Sequence, residues 1–80
     1  MKSIHVHYYA VLREKRGLSK ETILTEVLTV REIFEQLKEK YKFPLSFHNV
    51  KVAVNDEFCD WEKALNNGDS VLFIPPVAGG

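Results

Sequence analysis

Apolar and polar residues alternate at the start of the chain. Residues 4–12 read IHVHYYAVL, in which the even-numbered positions form one apolar side of a period-two pattern. This alternation predicts a strand over residues 4–12. Charged residues and Gly17 follow, so residues 13–20 are predicted to form a loop before a second, β-branched strand over 22–27. Because the connection is short, we expect the two strands to pair as an antiparallel hairpin.

A helical pattern occupies the middle of the chain. Thr29 and Glu32 form a T-x-x-E capping box, whose two side chains satisfy free amides in the first turn of a helix. The helix is therefore predicted to begin at Val30, and Pro44 cannot continue it. Its apolar residues share the spacing of one helix face: Val30, Ile33, Phe34, Leu37 and Tyr41.

Short elements are predicted for the second half of the chain. Residues 50–54 are predicted to form a strand, and the Asn-Asp pair after them to form its turn. Residues 61–65 are predicted to form one helical turn. Residues 66–69, NNGD, are a strong turn signal before a last strand over 70–74, which two prolines end.

The order of these elements predicts the fold class. Two strands, a helix and two further strands, with hairpins at the ends, indicate an α+β domain of the β-grasp (ubiquitin-like) kind. Its mixed sheet is expected to carry one main helix packed on one face. Eighty residues have room for a single hydrophobic core. Residues 1–80 are therefore predicted to form one domain, with 75–80 as an extended C-terminal tail.

Composition and charge narrow the range of functions. Eleven basic and eleven acidic residues cancel, so we expect no binding to nucleic acid or to an anionic membrane. The longest apolar runs fall far short of the ~20 residues that span a bilayer, and the N-terminus lacks a signal-peptide stretch, which predicts a cytoplasmic protein. The lone Cys59 suits a reducing compartment and is expected to be structural. A chain this small has little surface to spare for an elaborate active site, so we expect no stand-alone enzyme.

Apolar residues exceed what one helix can cover. The last predicted strand, residues 70–74, is apolar on both of its alternating faces, yet a single helix covers only one face of a sheet. Further apolar area comes from Tyr9, Val11, Phe58 and Trp61. We predict an exposed apolar patch around the last strand that marks a protein–protein interface. The alternative is that these side chains lie in a lopsided core.

The residues after the last strand carry the candidate chemistry. Pro75 and Pro76 fix φ and lack amide donors, so they direct the chain outward. Six extended residues reach roughly 20 Å, and Gly79 has no side chain to block a narrow channel. The carboxylate of Gly80 reacts only after activation, for example by ATP, and then passes to a sulfur, thiol or amine nucleophile. The alternative is an inert, disordered end.

Three segments resemble a known family. Residues 65–80 carry the pattern L-x-x-G-D-x-V-x-F-x-P-P-V-x-G-G, which resembles the C-terminal signature of the small, sulfur-carrying subunit of molybdopterin synthase. Residues 9–17 resemble the aromatic-A-x-x-R-E-x-x-G stretch of that family, and Val54 with Asn55 resembles its V-N pair. The resemblance therefore covers the whole chain, and the β-grasp fold of the family agrees with the fold predicted above.

The resemblance implies a carrier rather than an independent enzyme. In this family an ATP-dependent adenylating enzyme of the ubiquitin-activating type adenylates the terminal glycine, here Gly80, and a sulfurtransferase system converts it to a thiocarboxylate. The tail then enters the large synthase subunit, where sulfur passes to cyclic pyranopterin monophosphate and builds the dithiolene of molybdopterin. ATP and magnesium belong to the partners, so we expect neither a stably bound cofactor nor a metal in this chain.

The resemblance also implies roles for particular side chains. Gly79 gives clearance within the channel of the partner. The tail is positioned by Pro75, Pro76 and Val77. The residues expected to bind the partners are Tyr9, Arg13, Phe58, Phe73 and Ile74.

Three other functions remain open at this level. A thiamine-type sulfur carrier has the same fold and diglycine, although its members usually lack the P-P-V-x-G-G ending. A ubiquitin-like protein modifier would join Gly80 to lysines of target proteins. A passive interaction module would have an inert tail.

Two smaller signals concern histidine and basic residues. His5 and His7 share one strand face without a third ligand at useful spacing, so they are expected to be ordinary strand histidines rather than metal ligands. A basic cluster near the N-terminus either is a solvated loop or meets an acidic edge of a partner. Its members are Arg13, Lys15 and Arg16.

Overall fold

Five strands form one mixed sheet in a computed structural model that describes residues 1–76. The strands and helices, in chain order, are β1 (Lys2–Tyr8), α1 (Ala10–Arg16), β2 (Lys20–Thr25), α2 (Val30–Tyr41), β3 (Lys51–Val54), β4 (Glu57–Cys59) and β5 (Ser70–Ile74). The sheet order is β2-β1-β5-β3-β4. β5 pairs in parallel with β1, and every other neighbouring pair is antiparallel. This arrangement confirms the predicted fold class, with α2 as the main helix on one face.

The helix α2 matches its sequence signals. The Thr29 hydroxyl oxygen accepts a 3.3 Å hydrogen bond from the Glu32 amide, as the capping box predicts. The helix ends at Lys42, whose left-handed backbone (φ 57°) lets its amide donate to the Lys38 carbonyl. Among residues 1–76, no helix is long and apolar enough to cross a membrane.

The core lies between α2 and one face of the sheet. Phe34 of α2 is fully buried, and its ring centroid lies 5.2 Å from that of Phe73 in β5. Trp61 packs against both rings, with its ring centroid 5.2 Å from that of Phe34 and 5.9 Å from that of Phe73. The predicted helix stripe is buried at four of its five positions: Val30, Ile33, Phe34 and Leu37.

The strand predicted over residues 4–12 is wrong beyond Tyr8. Ala10 takes a left-handed backbone (φ 51°) and starts α1, which places the side chain of Leu12 in the core with no exposed surface. Gly17 ends α1 in the left-handed conformation, and its amide donates a 2.8 Å bond to the Arg13 carbonyl. The expected loop therefore begins only after Arg16. β1 and β2 still pair antiparallel, as predicted, but a helix connects them.

The helical turn predicted over residues 61–65 is also wrong. This segment crosses the start of α2, where the carbonyls of Lys63 and Trp61 accept hydrogen bonds from the Val30 and Arg31 amides at 3.1 and 3.0 Å. Ala64 forms an isolated bridge with Thr29. The segment satisfies the free amides of another helix instead of forming its own.

Two elements have no counterpart in the sequence prediction. The first is a 3₁₀ turn over Phe47–Asn49, and the second is β4. β4 follows β3 through a two-residue turn in which Asn55 and Asp56 both have positive φ, 51° and 70°. Two consecutive left-handed residues are typical of tight hairpins. The predicted turn at this Asn-Asp pair is confirmed.

Candidate docking face and tail exit

The chain leaves the sheet beside the end of β1. Because β1 and β5 are parallel and Tyr8 pairs with Phe73, the carboxyl ends of both strands lie at one edge. Pro75 is still buried, whereas Pro76 is exposed. The outward path remains a prediction, because the tail residues Val77, Gly79 and Gly80 lie outside the described residues. We call this edge the tail exit.

The sheet face opposite α2 carries an exposed apolar patch. Strand pairing aligns four residues in one row across this open face: His7, Leu72, Ala53 and Phe58. Phe58 at the β4 end is 71% exposed, and Tyr9 beside the tail exit is 49% exposed. The patch predicted from the double-sided apolar pattern of the last strand is present. We define the docking patch as Tyr9, Phe58, Leu72 and Ile74.

A groove runs through the docking patch. It encloses about 320 Å³ and is lined by His7, Tyr9, Leu72 and the Asn55–Asp56 turn, among others. Ile74 is half-buried and pairs with Lys51 at the tail exit. The apolar part of the open face thus continues to the point where the chain leaves the sheet.

The structure corrects the expected partner-binding role of Phe73. Alternation along β5 points Phe73 toward α2, where it is fully buried, and Leu72 toward the open face. Leu72 is therefore the surface residue that the sequence reasoning missed. Trp61 and Val11, which were expected to add exposed area, instead pack against the core as half-buried residues.

The basic cluster near the N-terminus divides into two parts. Arg13 and Lys15 are exposed on α1. Arg16 instead forms a two-bond ion pair with Glu21, at 2.7 and 2.8 Å, and its guanidinium lies 4.3 Å from the centre of the Tyr41 ring. Of this cluster, only Arg13 and Lys15 are free to meet a partner.

The two histidines lie on the open face, as the alternation predicts. The ring nitrogen Nδ1 of His5 is 3.0 Å from the Thr22 hydroxyl oxygen. A hollow of about 440 Å³ next to the docking patch includes His5, His7 and Lys20 in its lining. Within residues 1–76, no three His, Cys, Asp or Glu side chains are grouped to hold a metal ion.

Comparison with known proteins identifies the family. The family model described as "ThiS family" matches residues 6–80. The chain belongs to the ThiS family. A curated relative from Haemophilus influenzae, the molybdopterin synthase sulfur carrier subunit, is 32% identical over 80 residues, which cover 96% of this chain and 99% of the relative. A solved structure of a putative molybdopterin converting factor, subunit 1, from Pyrococcus furiosus is 29% identical, with a TM-score of 0.78 and coverage of 96% and 100%.

More distant structures share the fold of this ThiS-family chain. SAMP1 from Haloferax volcanii is 22% identical, with a TM-score of 0.79 and coverage of 98% and 99%. The complex of subunits 1 and 2 of the molybdopterin-converting factor from Helicobacter pylori contains a chain that is 24% identical, with a TM-score of 0.68 and coverage of 98% and 99%. At these identities the likeness concerns the fold.

A partly buried polar triad lies beside the tail exit of the ThiS-family domain. The Tyr8 hydroxyl donates to Oε2 of Glu21 at 2.6 Å, and the same carboxylate accepts both bonds from Arg16. Burial, followed by the Glu21 contact, raises the pKa of Tyr8 far above its usual range, so its proton stays in place. The Arg16 hydrogen bonds hold the pKa of Glu21 below its ordinary value. The triad joins the end of β1 to β2 and α1, and so orients Tyr9.

The single thiol in the described part of this domain is poorly suited to sulfur relay. Cys59 is half-buried, and its Sγ lies 3.9 Å from the Val52 carbonyl oxygen. Burial and, to a lesser extent, the charge of Asp60 raise the pKa of the Cys59 thiol. A raised pKa leaves little of the nucleophilic thiolate at neutral pH. This agrees with the structural role expected for Cys59.

Proposed function

We propose that this chain is the sulfur carrier subunit of a molybdopterin synthase. The observation that carries the proposal is the full-length similarity to the Haemophilus influenzae carrier at 32% identity, spanning 99% of that relative. The β-grasp fold and the docking patch beside the tail exit support the same role. The chain delivers a reactive terminus and leaves catalysis to larger partners.

The proposed chemistry takes place at the Gly80 carboxylate. An adenylating enzyme uses ATP to convert this carboxylate into an acyl-adenylate with release of pyrophosphate. Hydrosulfide (HS⁻) supplied by a sulfurtransferase system then attacks the acyl carbon, displaces AMP and, with loss of a proton, leaves a thiocarboxylate on Gly80. In the large subunit, the thiocarboxylate gives its sulfur to cyclic pyranopterin monophosphate, and water restores the carboxylate. Two such deliveries supply both sulfurs of the dithiolene.

The described residues explain how the tail is presented. Tyr9 and Ile74 of the docking patch lie at the tail exit, so a partner that covers the patch also receives the tail. Pro76 is exposed and lacks an amide donor, which prevents further pairing with the sheet. We propose that Val77 anchors in the partner's channel and that Gly79 gives clearance for the reactive end. We propose that the large synthase subunit covers the patch. The similar Helicobacter pylori structure is a complex of subunits 1 and 2 of the molybdopterin-converting factor.

Intact mass spectrometry tests this proposal. The untagged chain is incubated with an adenylating enzyme, ATP and a sulfur source, and fragmentation locates any oxygen-to-sulfur exchange. We expect the exchange at Gly80, with confirmation by a thiol-reactive reagent. The control is a chain from which Gly80 is deleted; it should fold normally but yield no sulfur product on incubation with cyclic pyranopterin monophosphate and the large subunit.

Fragmentation is needed because oxidation of Met1 or Cys59 adds nearly the same mass. A carboxylate that remains unchanged under these conditions would contradict the proposal. Covalent ladders with other proteins, lost on deletion of Gly80, would instead favour a protein modifier.

A further inference from the structure

Exposed basic side chains surround the tail exit. They lie on α1, at the end of α2 and at the start of β3. The docking patch contains no basic residue. We define the basic collar as Arg13, Lys15, Lys40, Lys42 and Lys51, all of which are exposed.

Contacts between the helices place these residues at one end of the molecule. The Tyr8 ring centroid lies 6.1 Å from that of Phe43, which directly follows the end of α2. The Arg16 guanidinium covers the Tyr41 ring and thereby joins the last turns of α1 and α2. Tyr8 ends β1 at the tail exit, so both helices terminate there. Lys51 reaches the same edge because it pairs with Ile74.

Charge is unevenly distributed although the chain as a whole is neutral. α1 contains three basic residues and one acidic residue, and the end of α2, residues 38–42, contains three lysines and one glutamate. Among the described basic residues of α1 and of the end of α2, Arg16 alone forms a close ion pair, with Glu21. Acidic residues outnumber basic ones at the opposite end, where Lys2, Arg31 and Lys63 also lie. The acidic residues are in the first turn of α2, in β4 and in the segments next to the strands: Glu26, Glu32, Asp56, Glu57 and Asp69. The molecule therefore carries a positive end, where the tail leaves, and a negative end.

We propose that the basic collar steers the chain, tail first, onto an acidic rim around the channel of the large synthase subunit that receives the tail. This inference rests on the proposed function and adds the chemistry of the partner surface. Complementary charge acts mainly on the association rate, because it guides and orients the two proteins before contact. The negative far end opposes approach in the reversed orientation. The docking patch then supplies the short-range apolar contact.

Association kinetics with the large subunit test the collar. Rates are measured by stopped flow at roughly 10 mM salt, where the Debye length is about 30 Å, and at roughly 1 M salt, where it is about 3 Å. The variants are Lys40→Glu and Lys42→Glu, combined in one chain, and the matched control is Lys63→Glu, whose exposed side chain lies near the start of α2. We expect the double variant to associate about fivefold more slowly at low salt, and the difference to disappear at high salt. The control should keep the wild-type rate or exceed it.

Further controls separate a steering effect from misfolding and from binding to other partners. Thermal unfolding reports whether each variant is folded, and the neutral pair Lys40→Gln and Lys42→Gln should slow association in the same direction by a smaller factor. A complex that forms at a rate independent of salt, or equal slowing by Lys63→Glu, would overturn the collar proposal. Binding to phosphatidylserine vesicles that requires the collar, without any effect on the large subunit, would overturn it as well. No complex at any salt concentration would overturn the proposed function itself.

Discussion

The Tyr8 hydroxyl donates a 2.6 Å hydrogen bond to a Glu21 carboxylate that Arg16 already holds through two bonds. Tyr8 is 1% exposed and Glu21 is half-buried, so the carboxylate accepts its three hydrogen bonds at a site that is partly shielded from water. The Tyr8–Glu21 hydrogen bond thus holds the last residue of β1 against the edge strand β2. The orientation of the tail exit therefore depends on a side-chain contact as well as on the sheet.

Removing the Tyr8 hydroxyl should destabilise the fold without exposing an unpaired charge. In Tyr8→Phe the Glu21 carboxylate keeps both bonds from Arg16 and loses one from a buried donor. A hydrogen bond to a charged group contributes about 2 kcal/mol, so we expect the free energy of unfolding to fall by about that amount in urea titrations. The control is Tyr9→Phe, at an exposed position, which should change stability little. Equal effects of the two substitutions would contradict the role of the triad.

The lowered pKa of the Glu21 carboxyl should make the stability of the fold depend on pH. The Arg16 hydrogen bonds lower the pKa of Glu21 in the folded state, so the folded chain releases this proton more readily than the unfolded chain. The stabilisation by this ion pair is fully present above about 4.3, the pKa of a glutamate in an unfolded chain. It is lost as the pH falls from there through the lower pKa that Glu21 has in the folded chain. We expect the stability difference between the wild type and Glu21→Gln to shrink as the pH falls below the unfolded-state pKa. A constant difference over that fall in pH would argue against the assignment.

Neighbouring residues of β5 should respond in opposite ways to the same substitution. Phe73→Asp places an unpaired carboxylate between α2 and the sheet, and we expect the chain to unfold because that burial costs several kcal/mol. Leu72→Asp places the carboxylate on the open face, so the fold should persist while binding to the large subunit weakens at least tenfold. Circular dichroism and titration calorimetry separate the two results. A folded Phe73→Asp would contradict the strand register.

Lys42 offers a stabilising substitution. Its φ of 57° lies in the left-handed region, which costs a side-chain-bearing residue roughly 1 kcal/mol relative to glycine. We expect Lys42→Gly to raise the free energy of unfolding by about 0.5 to 1 kcal/mol in urea titrations. Lys40→Gly, within the helix, should lower it by about 1 kcal/mol. Two changes of the same sign would be inconsistent with this helix end.

Local signals predict those parts of the fold whose causes are local. The Thr29 box and the apolar stripe define α2 because capping and amphipathicity act within a few residues. The alternation in β5 identifies a strand with two apolar faces, which correctly indicated the docking patch. The assignment of Phe73 to that patch was wrong because alternation shows that two faces exist, whereas the packing of α2 decides which face it covers.

Other features arise from contacts between distant segments. Alternation in the first strand continues past Tyr8, and only the insertion of Leu12 into the core turns residues 10–16 into a helix. The path of residues 61–65 depends on hydrogen bonds from the Trp61 and Lys63 carbonyls to the free amides at the start of α2, some thirty residues earlier. The basic collar escapes a reading of the sequence because its members are separated by up to 38 residues, from Arg13 to Lys51.

The central place of β5 has a mechanical consequence. Under the proposed function, the tail must be withdrawn from the channel of the partner after each delivery, and the pulling force then passes through Pro75 into this strand. β5 is hydrogen-bonded along both edges, to β1 on one side and β3 on the other. A pull along the strand therefore acts on two rows of bonds at once, in shear, rather than peeling them open one by one. The tail thus continues from a strand that is bonded to a neighbour on each side, which suits the repeated insertion and withdrawal that the proposed function requires.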